Sequence, residues 1–162
     1  MIGISKRKRN LNYEKFIKEG RGQGIGDKYL PWIKIQDMAS KGRSTRLKGI
    51  KTNRQHKFLS DLERDYFYYL EFCDDVIDII REQYPLLPLE ETLDIAEQLG
   101  IKHPLQPYSD EGFIMSTDFL ITKRENGTFI NLARTVKYKD NLMDKRISEK
   151  FEIERIFWER RG

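Results

Sequence analysis

The sequence predicts an α/β domain in which a mixed β-sheet is flanked by helices. Helix-like and strand-like patterns alternate along the chain, and a strong two-residue turn signal, Asn126-Gly127, joins two apolar runs. Hydrophobic residues make up 38% of the 162 residues. This length and composition suit one domain with a packed core, rather than two domains or a disordered chain.

The N-terminal part is predicted to hold a basic arm, a short helix and a glycine-rich loop. Residues 1–11 include the run KRKR and are expected to form a flexible arm, so that the folded domain spans 12–162. Asn12 can cap a short helix that Gly20 ends. The loop 20–26 lacks the preceding strand of a dinucleotide-binding fingerprint. We expect a mobile loop with exposed amides that places Arg21 near a DNA backbone.

Two strands and a longer helix are predicted next. The strands, 44–50 and 55–59, lie on either side of a polar turn. Ser60 and Glu63 have the spacing of a capping box, which marks the start of a helix that runs to about Phe72. The apolar stripe of this helix is expected to consist of Tyr66, Phe67, Tyr69 and Leu70.

The second half of the chain predicts a strand, a helix, a hairpin and a last helix. The strand covers 76–84 and is followed by two prolines, and the helix covers 90–99 and ends at a glycine. The hairpin surrounds Asn126-Gly127. The last helix, 144–161, is expected to bury a stripe formed by Met143, Ile147, Phe151, Ile156 and Phe157.

The charge is distributed unevenly along the chain. Residues 1–60 carry 16 Lys and Arg against 4 Asp and Glu, whereas the remaining residues carry 14 against 22. A basic front section of this kind predicts contact with phosphates. The expected DNA-binding residues are Arg21, Lys41, Arg43, Arg46 and Lys48.

The hairpin register predicts a cluster of polar side chains. With Asn126-Gly127 as the turn, the residue numbers of each opposed pair add up to 253, so Asp118 lies opposite Thr135. Side chains alternate between the two faces of a strand, so Thr135 and Lys137 share the face of Asp118.

A carboxylate beside a lysine suits metal-assisted hydrolysis of a phosphodiester. The carboxylate can hold Mg²⁺ by oxygen ligation, and the metal lowers the pKa of a bound water. The lysine can orient that water and offset the developing negative charge. The same pattern also occurs as ordinary surface charge at strand ends, and Glu63 has a sufficient role in its capping box.

Other classes of site are not supported by the sequence. Cys73 is the one cysteine and stands apart from His56 and His103, so neither a disulfide nor a zinc site is expected. There is no apolar run of membrane-spanning length and no signal-peptide core. We expect a cytoplasmic, reducing setting.

Several sequence blocks together resemble the TnsA family, the endonuclease subunits of heteromeric bacterial cut-and-paste transposases. The resemblance runs in collinear order from about Lys18 to Trp158. It rests on EGRGQGIG, LPWIKIQD, GRSTRL, LSDLE, REQYPLLP, GIKHP and MSTDFL.

The resemblance implies a restriction-endonuclease-like core with a Mg²⁺ site of the PD-(D/E)xK type, in which Mn²⁺ can substitute. It makes Glu63, Asp118 and Lys137 the catalytic residues. Glu63, Asp118 and the Val136 backbone carbonyl are the implied metal ligands. It implies a protein associated with the bacterial nucleoid that cuts the 5′ ends of a transposon, beside a DDE-type transposase subunit and an ATPase regulator.

Two features depart from the family pattern. Thr135 stands where the family has Gln, and a threonine hydroxyl is a shorter and weaker metal ligand than an amide oxygen. The family also continues into a further strand and a C-terminal domain that meets the ATPase regulator, so the catalytic domain here is expected to be truncated. Both departures leave an alternative open, a catalytically impaired subunit that binds DNA and assembles the same complex.

Overall fold

The protein is described here by a computed structural model covering residues 10–37 and 44–162. Short 3₁₀ turns occur at Gly26–Lys28, Ile35–Asp37 and Lys139–Met143. The helices and strands are α1 (Tyr13–Lys18), β1 (Thr45–Lys48), β2 (Gln55–Phe58), α2 (Asp61–Phe72), β3 (Val76–Pro85), α3 (Leu89–Leu99), β4 (Ser116–Glu125), β5 (Thr128–Arg134) and α4 (Lys145–Glu159). Each helix and strand lies within two or three residues of its predicted position.

The strands form a three-stranded sheet in the order β3-β4-β5 and a separate two-stranded sheet, β1-β2. The predicted α/β class, with helices flanking a sheet, is confirmed. Within the described ranges every strand pair is antiparallel, so the parallel pair that would make the sheet a mixed one is not seen there. None of the helices in these ranges is long and apolar enough to cross a membrane.

The β4–β5 hairpin has the predicted register. Its pairs run from Glu125 opposite Thr128 to Phe119 opposite Arg134. At the turn, Asn126 and Gly127 have φ values of 50° and 78°. Two successive positive φ angles define the turn that matches the twist of a hairpin. The backbone register from which the polar cluster was predicted is therefore confirmed.

Helix α2 packs on the sheet through a narrower stripe than predicted. Phe67 and Leu70 are buried and lie in one core cluster with Ile80 and Phe119 of the sheet. The expectation for Tyr69 is wrong, because 62% of its surface is exposed. Tyr69 instead stacks on Tyr66 at the edge of this core.

Helix α4 presents a different face to the core from the one predicted. Ile153 and Phe157 are buried against Leu86 and other residues of a second core cluster, whereas Met143 and Phe151 are 89% and 46% exposed. A shift of two positions turns a helix by about 200°, so Phe151 points away from the face that carries Ile153. Met143 lies in the 3₁₀ turn before α4 and not in the helix. Phe157 was predicted correctly.

Candidate active site

The far end of the β4–β5 hairpin brings three predicted site residues together. Strand pairing stops at Phe119 and Arg134, and the next opposed residues are Asp118 and Thr135. The Val136 amide donates a hydrogen bond to Asp118 Oδ2 at 2.8 Å. Lys137 Nζ lies 3.9 Å from the same oxygen. The Asp118 carboxylate is thus held between a backbone donor and an ammonium group.

Glu63 reaches the same cleft from the first turn of α2. Ser60 Oγ accepts a hydrogen bond from the Glu63 amide at 3.2 Å, which caps the helix. The Glu63 carboxylate accepts from the Leu59 amide at 3.4 Å, whereas in a standard capping box it would accept from the Ser60 amide. Glu63, Asp118, Thr135 and Lys137 all line one cavity of about 390 Å³.

The carboxylates in this cleft are hard to ionise. Burial first, and then the Asp118 carboxylate, raise the pKa of Glu63 to about 7. Burial also raises the pKa of Asp118, although Lys137 and the Val136 amide counteract part of the effect. The cleft therefore holds acidic groups whose charge the protein compensates only in part.

The Thr135 hydroxyl is directed to a third carboxylate, which the sequence did not point to. Thr117 and Thr135 both donate hydrogen bonds to Glu154 Oε1, and Trp158 Nε1 donates to Thr117 Oγ1 at 2.8 Å. Glu154 is 8% exposed, and burial raises its pKa. Thr135 thus joins β5 to α4, and its service as a metal ligand stays a prediction.

Three more residues of the cleft were not predicted: Lys150 of α4, Gln83 of β3 and Ser116 of β4 line the same cavity. Partial burial first, and then Arg146 and Lys137, lower the pKa of Lys150. These residues come from separate elements, and no spacing in the sequence connects them. The one sequence signal for Gln83 was the predicted strand β3, which a single sheet would place beside the hairpin.

The donor set fits a hard divalent cation. Glu63 and Asp118 supply two carboxylates, and Mg²⁺ commonly takes one or two carboxylates and completes its octahedron with waters. A cation would also offset the unfavourable charge that raises the pKa of Glu63. No group of three or more His, Cys, Asp or Glu side chains suited to a metal occurs within residues 10–37 and 44–162. The remaining ligands would therefore be backbone and water oxygens.

The basic residues of the β1–β2 hairpin lie partly as predicted. Arg46 and Lys48 are exposed, and Arg46 is paired with Lys57 across the two strands. Arg46 and Lys57 thus form a basic strip on one face of the ribbon. Lys41 and Arg43 lie outside the described residues, as does the KRKR run of the predicted arm.

The expectation of an exposed Arg21 is wrong. Its side chain is 4% exposed and its guanidinium pairs with Glu19 and Asp37, each at 2.7 Å. It also donates to the Trp32 carbonyl at 3.1 Å and lies over the Phe16 ring. The loop around it is tied down in the same way, because the Gly22 amide donates to the Leu30 carbonyl at 2.6 Å. The charge of Arg21 is therefore paired inside the domain, where it stabilises the fold.

Two further basic residues of the front section also point inward. Arg54 donates two hydrogen bonds to Glu82, at 2.7 and 2.8 Å, and His56 lies 2.9 Å from the same carboxylate. Lys51 Nζ donates to the carbonyls of residues 70, 73 and 76, at the end of α2 and the start of β3. The positive charge of this section is therefore only partly available to a ligand.

Comparisons with known proteins show which family this sequence resembles. The family model described as TnsA-like endonuclease N terminal matches residues 73–162, which include Asp118 and Lys137 but not Glu63. The Transposon Tn7 transposition protein TnsA of Escherichia coli is 48% identical over 145 residues, which are 90% of this chain and 51% of that protein. The chain spans about half the length of this curated relative.

Proposed function

We infer the function of this chain from one premise: it belongs to the family of TnsA-like endonuclease N-terminal domains. We propose that it is a metal-dependent DNA endonuclease subunit of a heteromeric transposase. Its reaction is hydrolysis of a phosphodiester at the 5′ ends of a transposon during cut-and-paste transposition.

The observation that carries this proposal is the meeting of Glu63, Asp118 and Lys137 in one cleft. Glu63 and Asp118 are 55 positions apart in sequence and belong to different elements. Ion pairs placed for stability alone would match each acid with a base, whereas three carboxylates, Glu63, Asp118 and Glu154, line this cavity with only two lysines, Lys137 and Lys150. Such an excess of buried acid is typical of sites that bind a cation.

Each residue has a distinct part in the proposed reaction. Glu63 and Asp118 would hold Mg²⁺, or Mn²⁺ in its place, with the Val136 carbonyl as a further ligand. The metal supplies an activated water and polarises the phosphate. Lys137, held 3.9 Å from Asp118, would orient the attacking water and stabilise the negative charge that develops on the phosphate. Val136 fixes the orientation of Asp118 through its amide.

DNA would be held mainly through its backbone. The exposed Arg46 and Lys48 suit contacts with phosphates, whose strength falls as the salt concentration rises. The choice of DNA sequence would come largely from a DDE-type transposase partner in the bacterial cytoplasm, at the nucleoid. In the family, contact with an ATPase regulator is expected from a further C-terminal domain, and we do not assign it to the residues described above.

A second candidate function rests on Thr135. Its hydroxyl donates to Glu154, so the metal would have one fewer side-chain ligand than in relatives with Gln at this position. A chain impaired in this way could still bind DNA and assemble the transposition complex while the partner cuts.

A strand-resolved cleavage assay with the partner transposase tests both candidates. Wild type, Asp118→Ala and Thr135→Gln are compared on DNA carrying a transposon end, in Mg²⁺ and in Mn²⁺. We expect wild type to cut the 5′ strand, Asp118→Ala to leave it intact, and Thr135→Gln to cut faster than wild type. If wild type does not cut the 5′ strand but Thr135→Gln does, the result favours the second candidate, the subunit that binds DNA and assembles the complex. Equal products from wild type and Asp118→Ala would contradict the nuclease proposal.

A further inference from the structure

Gln83 has a backbone conformation that its neighbours in β3 do not share. Its φ is 48°, although it lies inside a strand of ten residues. Residues other than glycine rarely adopt this region, and a residue held there is strained. The strand keeps its register on both sides of this residue, with Glu82 opposite Phe119 and Tyr84 opposite Thr117. The distortion is therefore confined to one position.

Contacts from the N-terminal part hold Gln83 in this conformation. Its carbonyl accepts a hydrogen bond from the Trp32 amide at 3.1 Å. The Tyr29 hydroxyl donates mainly to the neighbouring Glu82 carbonyl at 2.9 Å and lies 3.3 Å from the Gln83 carbonyl. Tyr29 and Trp32 are both fully buried. The Gln83 carbonyl is thus bound by the amide of a fully buried residue, which helps to hold the strained conformation.

The distortion lies directly across from the acidic cleft. The β3–β4 register, continued between its neighbouring pairs, places Gln83 opposite Asp118. The Gln83 side chain is 6% exposed and lines the same cavity as Asp118 and Glu63. Asp118 therefore has Gln83 on one side and Thr135 on the other.

The oxygen of the Gln83 side-chain amide accepts a hydrogen bond within the protein, whereas the nitrogen is available to a ligand. Ser116 Oγ donates to Gln83 Oε1 at 3.0 Å, which orients the amide group. Among residues 10–37 and 44–162, Gln83 Nε2 has no hydrogen-bond acceptor. A primary amide in this orientation offers two N–H donors on the side away from Ser116.

We propose that Gln83 Nε2 donates a hydrogen bond to a non-bridging oxygen of the phosphate that enters the cleft. This inference rests on the proposed nuclease function and makes Gln83 a substrate-binding residue. The carboxylates of this cleft repel a phosphate, so a further donor beside Lys137 and Lys150 helps to hold it there. A lysine or arginine opposite Asp118 would form an ion pair with it and compete with a cation, whereas a neutral amide does not.

The test compares Gln83→Met, which keeps the side-chain length and removes both donors, with Gln83→Gly, which also relieves the positive φ. Each variant of the full chain is assayed with its partner transposase under single-turnover conditions. We expect both to slow 5′ cleavage by about 10- to 100-fold, the effect of losing one hydrogen bond to a charged group, without a change in the Mg²⁺ concentration for half-maximal rate. Gln83→Gly should melt at or above the wild-type temperature, so its lost rate cannot come from unfolding. Ser116→Ala, which only frees the amide, should give a smaller loss.

A sulfur substitution on the substrate separates phosphate binding from a purely structural role. Replacing one non-bridging oxygen of the scissile phosphate by sulfur weakens a hydrogen bond to that oxygen. For one of the two diastereomers, this substitution should slow wild type more than Gln83→Met, because the variant has already lost the bond.

The outcomes distinguish this inference from the function on which it rests. If wild type and Asp118→Ala give the same products, the nuclease proposal itself is wrong. If wild type cuts and Asp118→Ala does not, while both Gln83 variants cut at the wild-type rate, the role of Gln83 is wrong. A shift of the Mg²⁺ midpoint in Gln83→Met, or an equal sulfur effect in both proteins, would also overturn the assignment to phosphate.

Discussion

Two regions of the molecule contain poorly exposed glutamates, one around Glu82 and one around Glu63, and the surroundings shift the pKa values of these two glutamates in opposite directions. Burial alone would raise the pKa of Glu82, but hydrogen bonds from Arg54 and His56 lower it to about 2. In the other region, burial and the Asp118 carboxylate raise the pKa of Glu63 to about 7. One region is a closed ion-pair network, and the other is an acidic cleft with too little positive charge.

This difference separates a stabilising site from a candidate functional one. The Glu82 carboxylate is 1% exposed and has partners for both oxygens, so a ligand has nothing to add. The cleft carboxylates have Lys137 at 3.9 Å and few hydrogen bonds, so a cation would lower their energy. Sites built for binding commonly reduce stability in this way.

The largest expected effect comes from removing the acid of the closed network. Glu82→Ala leaves Arg54, with a side chain 9% exposed, as a buried charge without its partner. We expect the free energy of unfolding to fall by about 3–5 kcal/mol, measured by urea denaturation. Glu159→Ala, which removes an exposed partner of Arg155, is the control and should unfold like wild type. Equal stability of Glu82→Ala and this control would remove the distinction between the two regions.

The pH dependence of stability should have opposite signs in the two regions. The folded pKa of Glu63 is above its ordinary value of 4.5, so its contribution to stability is complete below pH 4.5 and is lost as pH rises through about 7. Glu82 has a depressed pKa, so its contribution is present above pH 4.5 and is lost as pH falls toward about 2.

Glu63→Gln isolates the first of these contributions. In EDTA, wild type should lose on the order of 2 kcal/mol relative to Glu63→Gln between pH 4.5 and 7.5. Urea denaturation at several pH values measures the difference. If the free energies of unfolding of the two proteins change in parallel across this pH range, the surroundings of Glu63 do not raise its pKa.

A smaller gain in stability is expected from neutralising Asp118. Asp118→Asn keeps an oxygen that can accept from the Val136 amide and removes the charge that raises the pKa of Glu63. We expect the metal-free variant to gain about 1 kcal/mol while 5′ cleavage is lost. Thermal unfolding in EDTA, together with the strand-resolved assay, measures both. A clear loss of stability would mean that Asp118 has a structural role like that of Glu82.

The smallest effect should come from Thr135→Val, which removes the hydroxyl that donates to Glu154. Thr117 still donates to the same oxygen, so Glu154 keeps a partner. We expect a loss of about 0.5–1.5 kcal/mol by urea denaturation. Thr117→Val is the matched comparison and should cost more, because it also removes the acceptor of Trp158 Nε1. The reverse order would mean that Thr135 is the main partner of Glu154.

The parts of this molecule that follow local rules could be predicted from sequence. The Asn126-Gly127 turn fixes a register, and the register alone places Asp118 opposite Thr135. The caps at Asn12 and Ser60 likewise gave the starts of α1 and α2. The interactions that define these features span only a few residues or follow from strand alternation.

The parts that depend on long-range packing could not be predicted. Arg21, Lys51 and Arg54 have the same charge as Arg46, and no local pattern shows that three of them meet buried acceptors. Glu154 was hidden for the same reason, since its two threonine partners lie on other elements. A charged residue can be assigned to a surface or to the interior only when its partner is known.

Metal binding tests the central claim most directly, because it does not depend on the partner transposase. Mn²⁺ binding to the wild-type chain is measured by calorimetry at pH 8, with Asp118→Asn, Glu63→Gln and the control Glu159→Gln. We predict that both cleft variants weaken Mn²⁺ binding at least about tenfold, whereas the control binds like wild type. If Asp118→Asn and Glu63→Gln bind Mn²⁺ as tightly as wild type, the cleft is not a metal site.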